Sequence, residues 1–92
     1  MDVYAQIAVK IIKSQEAIIG PVAIEQAAQV SNLKVDWPKH EVSIGGDEAK
    51  VIDQLIAKYH DLFGQISVEV SKEAAASLVA KLPAGELPEA LK

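Results

Sequence analysis

A chain of 92 residues that is 50% apolar and 24% charged has the balance of one globular domain, because splitting it would leave pieces too small to bury a useful core. It has no Cys, which excludes disulfides, thiolate metal centres and a cysteine nucleophile. Its nine basic residues are all Lys, and its net charge of −4 divides as 4 Lys against 5 acids over residues 1–46 and 5 against 8 over residues 47–92; with neither an Arg fork nor a basic stripe, nucleic acid is not the expected partner.

From Asp2 to about Gln15 the apolar residues Val3, Tyr4, Ile7, Ala8, Ile11 and Ile12 recur as the stripe of a helix with one buried face. Gly20-Pro21 breaks this pattern, since Pro disfavours the helical conformation in the residue before it and suits the first turn of a new helix. A second helix is therefore predicted over about 21–30, through Ala23, Ile24, Ala27 and Ala28 to Val30. The stretch Ala17 to Ile24 is the longest without a polar side chain, well short of the ~20 residues of a membrane span. Asp2 and Lys10 interrupt the N-terminal stretch and no signal-peptide pattern is present, so the chain reads as cytoplasmic.

The period then changes from helical to alternating. Strands are predicted over about 33–37 and 41–45, joined through Pro38-Lys39-His40 as a β-hairpin whose Leu33, Val35, Trp37, Val42 and Ile44 share one face. An isolated two-stranded ribbon is marginal in water, so that face has to pack on helices. Asp47 caps a third helix over about 48–63, with Val51, Ile52, Leu55, Ile56, Tyr59, Leu62 and Phe63 as its stripe and Gly64 as its stop. Residues 66–71 alternate like a strand but also fit a helical stripe through Ile66, Val70, Ala74, Leu78 and Leu82. The Ala- and Leu-rich continuation favours a fourth helix over about 67–82 with Ser67 as its cap. Residues 1–83 thus make one α+β domain, two helices, an antiparallel hairpin and two helices around one core. Residues 84–92 read as a frayed tail. No repeat, linker or low-complexity tract is evident.

Few residues offer chemistry. His40, at the hairpin turn, has Asp36 and Glu41 close by and is the one candidate metal ligand or acid/base group; turn residues of this kind are more often ordinary loop polarity. His60 has no ligand-type neighbour on its helical face. Asp47/Glu48 and Glu69/Glu73 read as partners of helix dipoles rather than paired catalytic carboxylates. Gly45-Gly46-Asp47 precedes a helix, but a capping Asp would occupy the place a phosphate needs. No triad, nucleophile-elbow or zincin spacing is present, and no cofactor is implied.

The first functional expectation is a non-catalytic interaction or regulatory module that self-associates, a homodimer or similar assembly, through its apolar helix faces or the hairpin edge, with Tyr4, Ile11, Leu33, Val35 and Trp37 as interface residues. The alternative is a small-ligand sensor or carrier with a pocket between hairpin and helices lined by Trp37, Tyr59 and Phe63. An enzyme using Asp36, His40 and Glu41 ranks last.

Overall fold

The computed structural model describes residues 1–92. Helix α1 spans Val3–Ile19, started by the Asp2 carboxylate, which accepts the backbone N–H of Ala5 at 2.8 Å. It outlasts the predicted end at Gln15 because its first break is Gly20, whose φ of +72° and ψ of −154° lie where a side chain is strained. The Gly20 N–H closes the helix on Glu16 O at 2.8 Å. Pro21 then opens the short helix α2, Val22–Ala28.

Strands β1, Leu33–Asp36, and β2, Glu41–Ile44, pair antiparallel with Leu33 opposite Ile44 and Val35 opposite Val42. Trp37 and Gly45 fall just outside the strands. Leu33 and Val42 are buried, Val35, Trp37 and Ile44 half-buried, and the ribbon lies on α1 and α2. The first two helices take up its apolar face.

Helix α3, Glu48–Phe63, begins at Asp47, whose carboxylate accepts the Lys50 N–H, and closes at Gly64 with φ +77° and a 2.8 Å bond from its N–H to His60 O. Helix α4, Gln65–Val79, starts at once after this corner. Residues 66–71 are therefore helical, and Ser67 is not the cap: it sits inside the first turn, buried, with its hydroxyl donating to Gly64 O at 2.7 Å. The predicted helix to residue 82 ends at Val79. The last residues are not frayed. Two 3₁₀ turns follow, Ala84–Glu86 and Glu89–Leu91, and the second packs against α3 and α4, with Pro88 and Leu91 buried and the Asp53 carboxylate accepting the N–H groups of Glu89 and Ala90 at 3.1 and 2.8 Å. A carboxylate supplied from α3 thus caps the final turn, a tertiary contact that local sequence does not display. No helix is long and apolar enough to cross a membrane.

The core draws its fully buried large side chains from α1 and α3: Ile7, Ile11 and Ile12, then Ile52, Leu55, Ile56 and Tyr59. Here the structure reveals a repeat that the sequence reading lacked. Ile18-Ile19-Gly20-Pro21-Val22-Ala23-Ile24-Glu25 matches Leu62-Phe63-Gly64-Gln65-Ile66-Ser67-Val68-Glu69 position by position. Ala27 corresponds to Ser71, and all four small residues Ala23, Ser67, Ala27 and Ser71 are buried. Each unit is a long helix, a glycine corner with the same unusual dihedrals, and a second helix.

Candidate functional site

The two units bind each other reciprocally. Five residues before the first corner, Gln15 donates its amide Nε2 to Ser67 O at 3.0 Å and to Ser71 Oγ at 3.2 Å. Five residues before the second, Tyr59 donates its hydroxyl to Ala23 O at 2.7 Å. Ser67 and Ala23 are themselves equivalent positions, so each long helix fastens the other unit's second helix, the mutual pattern of an approximate twofold. The contact sets agree: α1 lies on α4 and α3 on α2. Burial drives the Tyr59 phenol well above its ordinary pKa, which keeps the donor proton in place.

This exchange gathers both corners at one end of the helices, and the exposed apolar side chains collect there. Apart from Met1, the exposed large hydrophobic residues are Ile18 (64%), Val22, Leu62, Phe63 and Ile66 (71%). Ile18 is the counterpart of Leu62, and Val22 of Ile66, so both units present the same apolar positions outward. Single exposed hydrophobic residues need no explanation, but a cluster repeated at two equivalent corners marks a surface.

Within that end face lies a cleft of about 320 Å³ between α1 and α4, lined by Gln15, Ile18, Ile19, Phe63, Ile66, Ser67 and Val70. Five of its seven lining residues are hydrophobic. Its floor is the buried amide of Gln15, 2% exposed. Ser67 O accepts but cannot donate, so the nitrogen of that amide must face it and the orientation is fixed. The carbonyl Oε1 has no donor within the chain, and since no fully buried polar atom lacks a partner, it keeps a small accessible area beside the cleft that Gln15 lines. On the other unit Tyr59, 0% exposed, is the counterpart.

The residues singled out from sequence are distributed elsewhere. Ile11 and Leu33, offered as interface residues, are 0% and 5% exposed and belong to the core of the single chain, Ile11 turned inward by α1 and Leu33 by β1. Tyr4 is half-buried and donates its hydroxyl to Glu86 O at 2.7 Å, with its pKa raised by burial and then by nearby carboxylates. Val35 packs from the ribbon against the core. Trp37 is held by Glu16, which accepts its indole N–H at 3.2 Å, and by the His40 ring at 4.8 Å.

Trp37, Tyr59 and Phe63 do not form a pocket together. Tyr59 points into the core, Trp37 lies at the ribbon, and of the three Phe63 alone borders the apolar cleft. Nor do Asp36, His40 and Glu41 make a metal set: no three His, Asp or Glu residues are arranged to hold an ion. Asp36 and Glu41 pair across the strands on the exposed face, and His40 adopts φ +53° at the turn. The residues missed, Gln15, Ile18 and Ile66, carried one signal. Ile18 and Ile66 are large apolar residues that each stand two residues from a corner glycine, and Ile66 lies off the face of α4 that Ser67, Ser71, Ala75 and Leu78 bury.

At the opposite end of the long helices, Asp2 and Glu48 face each other where α1 and α3 begin. The side-chain hydrogen bond from Glu48 to Asp2, then burial and repulsion, hold the Glu48 carboxyl at about 7, while Asp2, accepting from Ala5 N–H and from Glu48, is held below its ordinary value.

No protein-family model, no curated protein and no solved structure matches the chain.

Proposed function

We propose that this chain is a protein-interaction module whose contact surface is the apolar end face formed by the Ile18–Val22 and Leu62–Ile66 corners. The observation that carries this reading is the concentration of exposed apolar side chains at two equivalent corners around an open cleft. A face of that kind remains hydrated unless another surface covers it, and covering it supplies the main driving force of association. The hairpin is a poorer contact surface, since Lys34, Asp36, Lys39 and Glu41 are exposed along it and charge discourages edge pairing.

The cleft also supports a second reading, a carrier of a small apolar ligand. The ligand would lie against Ile18, Phe63 and Ile66 rather than against Trp37 and Tyr59.

The test is a peptide-display selection on the wild type, with an Ile18→Ser/Ile66→Ser variant as counter-target and sedimentation velocity on both. Both substitutions are exposed and leave net charge and fold unchanged. Peptides retained by the wild type and released by the variant support the reading, and a dimer that the variant dissolves identifies a second copy as the occupant. Binders indifferent to the variant overturn it.

A further inference from the structure

Charge decides between the possible occupants of the end face. No lysine lies between Lys13 and Lys34, nor between Lys58 and Lys72, the two stretches that hold both corners. Their charged side chains are Glu16, Glu25, Asp61 and Glu69. Glu25 and Glu69, again equivalent, stand one helical turn after Val22 and Ile66, on the same side of their helices. Asp61 immediately precedes Leu62. Of the four, Glu16 is already engaged by Trp37, Glu69 accepts a bond from Gln65, and Asp61 lies 3.8 Å from His60 Nδ1 and shares a groove with Lys58, leaving the Glu25 carboxylate without a charged or hydrogen-bonding partner.

An apolar face rimmed with carboxylates repels a second copy of itself, which would bring the same acids into opposition, and it repels an anionic lipid surface. It attracts an apolar surface flanked by cations. The form of that surface follows from the cleft, which has room for one large side chain and offers a lone acceptor, Gln15 Oε1, at its floor. Resting on the interaction-module reading, we propose that the partner is a basic amphipathic helix of another protein. It seats one large apolar side chain between Ile18 and Ile66, a tryptophan matching best because its indole N–H can bond the Gln15 carbonyl, and sets Lys or Arg over Glu25, Asp61 and Glu69.

The experiment uses three synthetic amphipathic peptides with one Leu face and a central Trp, identical except that their polar faces carry Lys, Gln or Glu. Binding to the intact chain is read by anisotropy of an attached dye. The Lys peptide is expected to bind at least about tenfold tighter than the Gln peptide, with the difference shrinking as salt is raised. Ile66→Ser should weaken it about tenfold and Asp61→Asn/Glu69→Gln several-fold, while Glu41→Gln/Glu86→Gln, which removes two acids elsewhere, should not. Replacing the peptide's Trp by Ala should also weaken it. Lys binding that survives Ile66→Ser is unspecific charge attraction and overturns the proposal. A Gln peptide that binds as tightly as the Lys peptide and is lost with Ile66→Ser overturns the basic partner but leaves the interaction module standing. If no peptide binds, display selection yields none that needs the face, and sedimentation shows no dimer that the variant dissolves, both fall.

Discussion

The Tyr59 hydroxyl donates to the carbonyl oxygen of Ala23 at 2.7 Å, joining the end of α3 to the start of α2 from inside the core. Its counterpart, Gln15 to Ser67, joins α1 to α4. Together with the burial of Ala23, Ala27, Ser67 and Ser71, these two bonds set the angle at which the apolar positions are displayed. Tyr59→Phe retains the ring and removes the bond, and should lower stability by about 1 kcal/mol. Tyr59→Ala also leaves a large cavity and should lower it by about 3–5 kcal/mol. Urea midpoints at unchanged slope give both values, and a Phe variant as unstable as the Ala variant would contradict this division.

The corners themselves predict a matched pair of effects. Gly20 and Gly64 share φ near +70° with extended ψ, and a Cβ built on either meets nothing within 4 Å. The effect of alanine is then backbone strain alone, about 1–3 kcal/mol at each site. Gly20→Ala and Gly64→Ala should therefore destabilise by similar amounts in chemical denaturation. A harmless substitution at one and a severe one at the other would deny the equivalence of the two units.

How much of this was legible depended on whether the determining contact is local. Helix α3 was readable because Asp47, its stripe and Gly64 are all close in sequence, and the hairpin because alternation is a local signal. Residues 66–71 were ambiguous because Ser67 and Ser71 look polar. They are buried, as their alanine counterparts are, since small side chains let the helices approach, and their hydroxyls bond to backbone. The repeat was hidden for the same reason: from Ile18 to Glu25 and Leu62 to Glu69 the glycine and the final glutamate alone are identical, whereas pattern and burial are conserved between the units. The end face could not be read without knowing that both corners lie together.

Residues 84–92 should contribute to stability. Asp53 satisfies two backbone N–H groups of the last turn, and Leu91 is 8% exposed. Asp53→Ala removes both bonds in the manner of a lost helix cap and should lower stability by about 1–2 kcal/mol; Leu91→Ala should lower it by about 2 kcal/mol or more. Amide exchange at Glu89 and Ala90 is the direct measurement. Protection there that Asp53→Ala abolishes is the expected result, and unprotected amides in the wild type would restore the picture of a frayed tail.

The Asp2–Glu48 pair makes stability depend on pH in a calculable direction. The Glu48 carboxyl binds its proton more tightly when folded, titrating at about 7 instead of the ordinary 4.5. Its contribution is therefore complete below about 4.5 and is lost as pH rises through about 7. Asp2, whose folded value is lowered, acts oppositely: its contribution is present above the ordinary 3.8 and fades in acid. Between about 4.5 and 7 the Glu48 effect dominates, so the pair favours folding in mild acid and opposes it in mild base, where two carboxylates face each other at the helix starts. The expected observation is a carboxyl carbon resonance of Glu48 titrating near 7 and a melting temperature that declines from pH 5 to pH 8, flattened in Glu48→Gln, which keeps a donor toward Asp2 at every pH. Asp2→Asn, which retains a capping side chain, should return Glu48 toward its ordinary value. A Glu48 carboxyl titrating near 4.5 in the wild type would show that the two helix starts do not share a proton.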